Sequence, residues 1–186
     1  MRKILFIICW ALAGVGLYSC SLDEPSYGKT TSDNYYQKES DIEQALTGAY
    51  LQLRTTWNEY ALNHYFVGDC STDDALKGGG NDGDRAEVRD LSDFTIYTTN
   101  GEVGRRWEIL YRLINRCNDV IYYAPDAIGN EELLKRYANE AKALRAFGYY
   151  CLVTTFGEVP LITTPMQPAE ILQIPRSPLE KVYECI

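Results

Sequence analysis

The sequence is poor in the side chains that carry most metal and proton-transfer chemistry. It has one histidine, His64, among 186 residues. A single imidazole leaves no multi-histidine metal site, and the segment around it offers no histidine-based triad. His64 is expected as a polar neighbour on a helix face. Six cysteines are present, but no pair has C-x-x-C spacing. Cations are in deficit: 18 Lys and Arg face 26 Asp and Glu, a formal net charge of −8. Phosphate backbones would be repelled by such a surface, so no nucleic-acid partner is expected. Beyond the N-terminus no hydrophobic run could span a bilayer. No catalytic residue, metal or cofactor is expected.

What is present begins with a targeting segment, Met1–Ser19. Arg2 and Lys3 form its positive start, and Ile4–Leu17 is apolar but short for a span of roughly 20 residues. Leu17-Tyr18-Ser19-Cys20 resembles a bacterial lipobox, with Tyr18 an unusual residue within it. The resemblance implies cleavage before Cys20 and lipid attachment to its sulfur. Loss of Arg2 and Lys3 would make the chain two units more negative. Ser21-Leu22-Asp23-Glu24 resembles the acidic signal that sends lipoproteins of Bacteroidetes-type bacteria to the outer cell surface. Residues 20–39 are expected as a lipidated tether and linker, and 40–186 as one domain. Gly28-Lys29-Thr30 lacks the leading glycine and the strand of a phosphate-binding loop.

Helical periodicity dominates the domain. Ser40-Asp41-Ile42-Glu43 reads as a capping box, followed by Ile42, Ala45, Leu46, Ala49, Tyr50 and Leu53 at helical spacing. Trp57–Phe66 is a second, aromatic-rich candidate helix. Trp107–Tyr123 is a third, with Trp107, Leu110, Tyr111, Ile114, Cys117 and Ile121 on one face, ended by Ala124-Pro125-Asp126. The chain is organised around the helix that follows, capped by Asn130 with Glu131 and Glu132 in its first turn. It carries Leu134, Ala138, Ala141, Gly148 and Leu152 along one side, with Tyr137, Leu144, Phe147 and Cys151 beside them. Its small residues admit a close helix neighbour, and its wide apolar surface needs partners on at least two sides. Gly157 and Pro160 end it. The short connection makes the last two helices an antiparallel pair. Cys117 and Cys151 fall on apolar faces as small hydrophobes. After Pro160 the chain reads as irregular until Ser177-Pro178-Leu179-Glu180, where Ser177 is expected to cap a helix with Leu179, Val182, Tyr183 and Ile186 inward. That helix has a start and no end, which suggests a fragment.

Gly68–Asn100 breaks the pattern with glycine, aspartate and asparagine. It reads mainly as a solvated, mobile loop, and loops on a rigid scaffold often carry binding. Gly78, Gly80 and Gly83 satisfy G-x-G-x-x-G, but no strand leads in and nearby aspartates would repel a pyrophosphate. Asp73, Asp74, Asp82 and Asp84 could ligate calcium, without EF-hand spacing. Asp69, Asp73 and Asp74 could act as paired carboxylates in glycoside hydrolysis, which needs them to face each other across a substrate.

The set Ala45-Leu46-x-Gly48-Ala49-Tyr50, Gly68-Asp69-x-x-Thr72-Asp73-Asp74, Trp107-x-x-Leu110-Tyr111-x-x-Ile114-x-x-x-Asn118-x-x-Ile121, Glu140–Tyr150 and Phe156-Gly157-x-Val159-Pro160-Leu161, closed by Arg176-Ser177-Pro178, resembles the N-terminal part of the SusD/RagB family of outer-membrane nutrient-binding lipoproteins. The resemblance implies an all-α, tetratricopeptide-like scaffold of antiparallel helix pairs with long irregular loops. It implies a lipid-anchored surface protein that captures oligosaccharides and sits as a lid on a SusC-like TonB-dependent transporter. Asp73, Asp74 and Tyr97 are the candidate ligand residues, through ring stacking and charge-assisted hydrogen bonds to hydroxyls. Peptide capture, as in RagB-like members, and a surface glycoside hydrolase are the alternatives.

Overall fold

A computed structural model describes residues 32–54 and 60–186. The expected targeting segment, Cys20, the acidic signal and Trp57 lie outside the described residues. The described part is helical: α1 (Ser32–Tyr35), α2 (Glu39–Tyr50), α3 (Tyr60–Gly68), α4 (Ala86–Ser92), α5 (Gly101–Tyr123), α6 (Glu131–Phe156), α7 (Pro168–Ile171) and α8 (Leu179–Cys185). A two-residue pair, β1 (Val159–Pro160) and β2 (Arg176–Ser177), runs antiparallel with Val159 opposite Ser177.

The centre is the α5–α6 hairpin. Asn130 accepts from the Glu132 and Leu133 N–H groups at 3.0 and 3.2 Å, satisfying two donors that a helix start leaves open. Gly157, at φ +71°, ends α6 in a conformation that suits glycine. Helix α6 has neighbours on several sides, packing against α2, α5 and α8. One apolar cluster joins Ile42, Leu46 and Ala49 of α2 to Leu113, Cys117 and Val120 of α5 and to Leu134, Ala141 and Leu144 of α6. A second joins Ile109, Leu110 and Ile114 to Tyr149, Leu152, Val159 and Val182. Each fully buried aliphatic side chain contributes about 1.5–3 kcal/mol of transfer free energy. Burial pushes the Cys117 thiol up to about 12, so it stays protonated and packs as a hydrophobe.

Gly148 sets the hairpin's close contact: a Cβ there would lie 3.0 Å from Ile114 Cγ1 and 3.5 Å from Leu113 Cδ2. A second close approach joins α2 to α5, where Arg116 Nη1 donates to the Gly48 carbonyl at 2.6 Å.

Several boundaries differ from the sequence reading. Helix α2 starts at Glu39, so Ser40 is not its cap; Asp41 accepts from the Lys38 N–H at 2.9 Å instead. The reason is non-local. Glu39 N–H donates to the Ile128 carbonyl and Ile128 N–H to the Gln37 carbonyl, fixing the chain's entry before the local signal. The end of the expected tether therefore belongs to the fold: Tyr36 stacks on Tyr123 with ring centroids 4.3 Å apart, and its hydroxyl donates to Asp119. Phe147, expected inward, is 39 % exposed, while Tyr149 is fully buried. Packing on more than one side of α6, as its wide apolar surface requires, also takes in Tyr149, which lies outside the apolar positions expected from the sequence. Ser177 pairs in β2 rather than capping α8, and of the four apolar positions named for α8 only Val182 is buried. The stretch after Pro160 is less irregular than its prolines suggest, because β1, α7 and β2 occupy it.

Candidate functional site

Gly68–Asn100 is not one long loop. It holds a 3₁₀ turn at Asp69–Ser71 and helix α4, whose Val88 and Leu91 are buried. A seven-residue helix with two inward residues gives too little periodicity to stand out among the glycines around it. Its attachment to α5 is polar. Asn100 Oδ1 caps α5 through the Glu102 and Val103 N–H groups, while its Nδ2 donates to the Glu87 carbonyl at 2.9 Å. Glu87 Oε1 accepts from the Gly101 N–H at 3.0 Å, and a Cβ on Gly101 would lie 2.6 Å from that oxygen.

Glu102 is the buried anchor of this frame, 5 % exposed. It accepts from Arg85 Nη1 at 3.3 Å, and its own carbonyl accepts from Asn63 Nδ2 at 2.8 Å. Arg85 also lies over the Phe66 ring, 4.7 Å from its centroid, a cation–π contact. Deeper in, Arg106 is 4 % exposed and donates to Thr155 Oγ1 and towards His64 Nδ1, both at 3.0 Å. A guanidinium only donates, so Nδ1 carries the lone pair and the imidazole proton sits on Nε2. Burial, then the Arg106 charge, hold the His64 pKa below its usual value. Glu102, Arg106 and Asn63 were not singled out in the sequence; buried polar partners in different helices leave no local signal.

The three candidate ligand residues face solvent on this frame. Asp73 and Asp74 follow the 3₁₀ turn, where the Asp74 N–H donates to Thr72 Oγ1 at 3.2 Å and the Thr72 hydroxyl to the Asp69 carbonyl at 2.7 Å. Neither carboxylate enters an ion pair among the described residues. Tyr97 is 65 % exposed in the turn before α5, with Ile96 at 49 % and Phe94 at 68 %. Phe94 has φ +56°, a left-handed backbone that is costly for an aromatic residue.

Among the described residues, cavities open at several places on the surface. Beneath the glycine-rich stretch, about 270 Å³ is lined by Tyr65, Phe66, Cys70, Leu76, Lys77, Gly78, Gly79, Asp84, Arg85 and Val88. About 450 Å³ opens beside Arg106, Ile96 and Phe156. About 480 Å³ lies between Trp107 and Tyr111 of α5 and the segment carrying Pro160, Met166 and Leu172. The fourth, about 540 Å³, sits at the α5–α6 turn. None of these four walls carries two carboxylates; Asp84 and Glu131 stand singly in two of them. Among the described residues no three His, Cys, Asp or Glu side chains gather as a metal site requires. The acidic residues considered for calcium thus form no such cluster of three among the described residues.

Residues 21–186 match a SusD-like family described as "Starch-binding associating with outer membrane". SusD-like protein P2 of Formosa agariphila is 30% identical over 99% of this chain, and SusD-like protein P25 of the same organism is 24% identical over 99%. The chain spans 35% and 36% of those two relatives' lengths. Among solved structures, a laminarin-binding SusD-like protein superposes at TM-score 0.70 with 30% identity, over 81% of this chain and 32% of that one. Surface glycan-binding protein A from Bacteroides uniformis superposes at 0.68 with 28% identity, over 79% and 32%.

Proposed function

The chain belongs to this SusD-like family, and from that premise we propose that it is a cell-surface glycan-binding lipoprotein. It captures oligosaccharides without cleaving them and passes them to a SusC-like TonB-dependent transporter. The observation that carries the reading is Tyr97, an outward-facing ring, on a loop frame that also carries two carboxylates outside any described ion pair. A flat neutral ring stacks on the C–H face of a pyranose, and carboxylates accept from its hydroxyls with charge assistance. Helices α2, α5 and α6 supply the rigid support, and the buried Glu102 ties the binding loop to it through Arg85.

The test is incubation of the full-length protein with labelled neutral oligosaccharides. Binding with the sugars recovered at full length is the expected result. Release of shorter sugars overturns it in favour of a glycosidase, and capture of peptides with no sugar bound overturns it in favour of a peptide carrier.

Anchoring is proposed through lipid on Cys20. Acyl chains contribute about 0.8 kcal/mol per buried methylene, so two or more hold a protein on a membrane without a spanning helix. Among the described residues no helix is long and apolar enough to cross one. Cys20→Ala is expected to abolish labelling by fatty acid and release the protein from the membrane fraction. Undiminished labelling of that variant would refute the site.

A further inference from the structure

The cavity under the glycine-rich stretch is built differently from the open aromatic turn around Tyr97. Its floor is apolar and fixed: Val88 and Cys70 are 2 % exposed, and Phe66 is held under the Arg85 guanidinium. One rim is the exposed ring of Tyr65. The other is the run Lys77–Gly79 with Asp84 packed against it. Only glycine fits at position 79, where φ is +119° and a Cβ would fall 2.3 Å from Asp84 Oδ2. That contact brings the Asp84 carboxylate to the lip of the cavity.

Size and charge narrow what could enter. Pockets that enclose drug-sized ligands run to about 300–1,000 Å³; at about 270 Å³ this one suits a single ring. The two cations in its wall already have acceptors. Lys77 Nζ donates to the Asn81 carbonyl at 2.7 Å, and Arg85 pairs with the buried Glu102. The Asp84 carboxylate has no such ion pair among the described residues. The wall therefore offers an acceptor to hydroxyl donors and an apolar floor to ring carbons.

We infer that this cavity takes one neutral hexose ring, the terminal unit of a bound oligosaccharide, with Asp84 accepting from its hydroxyls. The inference rests on the glycan-binding reading above and adds to it: Tyr97 stacks internal units on the open turn, and the cavity reads the chain end.

The experiment measures binding of a neutral oligosaccharide to the full chain and to Asp84→Ala and Gly78→Phe. Gly78 lines the cavity and a Cβ there meets nothing within 4 Å, so a bulky side chain can be placed at its edge. Each variant is expected to weaken binding about tenfold or more, the size of losing one charge-assisted hydrogen bond. Tyr97→Ala weakens long oligosaccharides and leaves binding of the terminal ring intact. Saturation-transfer NMR on the unmutated protein should saturate the terminal ring protons most. Equal saturation along the sugar, or folded Asp84 and Gly78 variants that bind as tightly as the unmutated chain, overturns the cavity while leaving glycan binding standing. An unmutated protein that binds no neutral sugar overturns the function itself.

Discussion

Gly148→Leu is expected to lower the thermal midpoint of the domain by several degrees. A Cβ at this position already approaches Ile114 Cγ1 to 3.0 Å. Leucine adds three further carbons, directed at Ile114 and Leu113, which are 1 % and 0 % exposed and have nowhere to retreat. Overpacking of this kind costs about 1–3 kcal/mol, and in a domain of this size each kcal/mol moves the midpoint by roughly 2–4 °C. Gly148→Ala is the informative companion. Its Cβ meets the same contact, but alanine recovers about 1 kcal/mol of helix propensity over glycine, so the two effects nearly offset. Circular dichroism melts of the two variants decide the matter. A leucine variant that melts with the parent would show that α5 and α6 do not approach closely at this point.

Asn118→Leu is expected to cost about 3 kcal/mol or more, because it strands buried partners that are used by two other segments. Asn118 is 0 % exposed. Its Nδ2 donates to the Ile162 carbonyl at 2.9 Å, and its Oδ1 accepts from Arg145 Nη1 at 2.9 Å. Arg145 Nη1 also reaches the Thr163 carbonyl, while the Tyr149 hydroxyl both donates to the Ile162 carbonyl and accepts from the Ile162 N–H. Burial pushes that hydroxyl up to about 12, so it keeps its proton at neutral pH and can serve both bonds. Leucine keeps asparagine's branched skeleton of four heavy atoms and leaves no cavity, so the polar loss is not confounded by one. Faster amide exchange at Ile162 and Thr163, with the α2–α5 contacts still protected, is the local signature. Parental stability in Asn118→Leu would show the network to be dispensable.

The hairpin was legible because its signals are local. Asn130 precedes a periodic apolar run, Gly157 and Pro160 follow it, and the small residues at 141 and 148 announce a close neighbour. The buried polar residues were not. Asn118 belongs to a recognisable spacing, but nothing in that spacing reveals a partner at Ile162, and Glu102 follows an Asn-Gly pair that reads as a turn. The start of α2 was misjudged for the same reason: Glu39 reaches Asn130, 91 residues away, at 2.7 Å. Helix α4 escaped notice because two buried residues in seven make no clear period. Asp73, Asp74 and Tyr97 lie in loops, as their surroundings in the sequence imply, whereas the cavity under the glycine-rich stretch depends on Phe66, Val88 and Gly79 meeting across three segments.

The small β1–β2 pair has an evolutionary consequence. It ties Val159–Pro160 to Arg176–Ser177, so residues 161–175 leave and return through one fixed gate. Doubling the length of a flexible loop closed at such a gate costs only about 0.6 kcal/mol in chain entropy. Ile162 and Thr163 are held by the Asn118–Arg145–Tyr149 network, so insertions and deletions can accumulate within 164–175 among descendants of this chain while the helices on either side keep their mutual geometry.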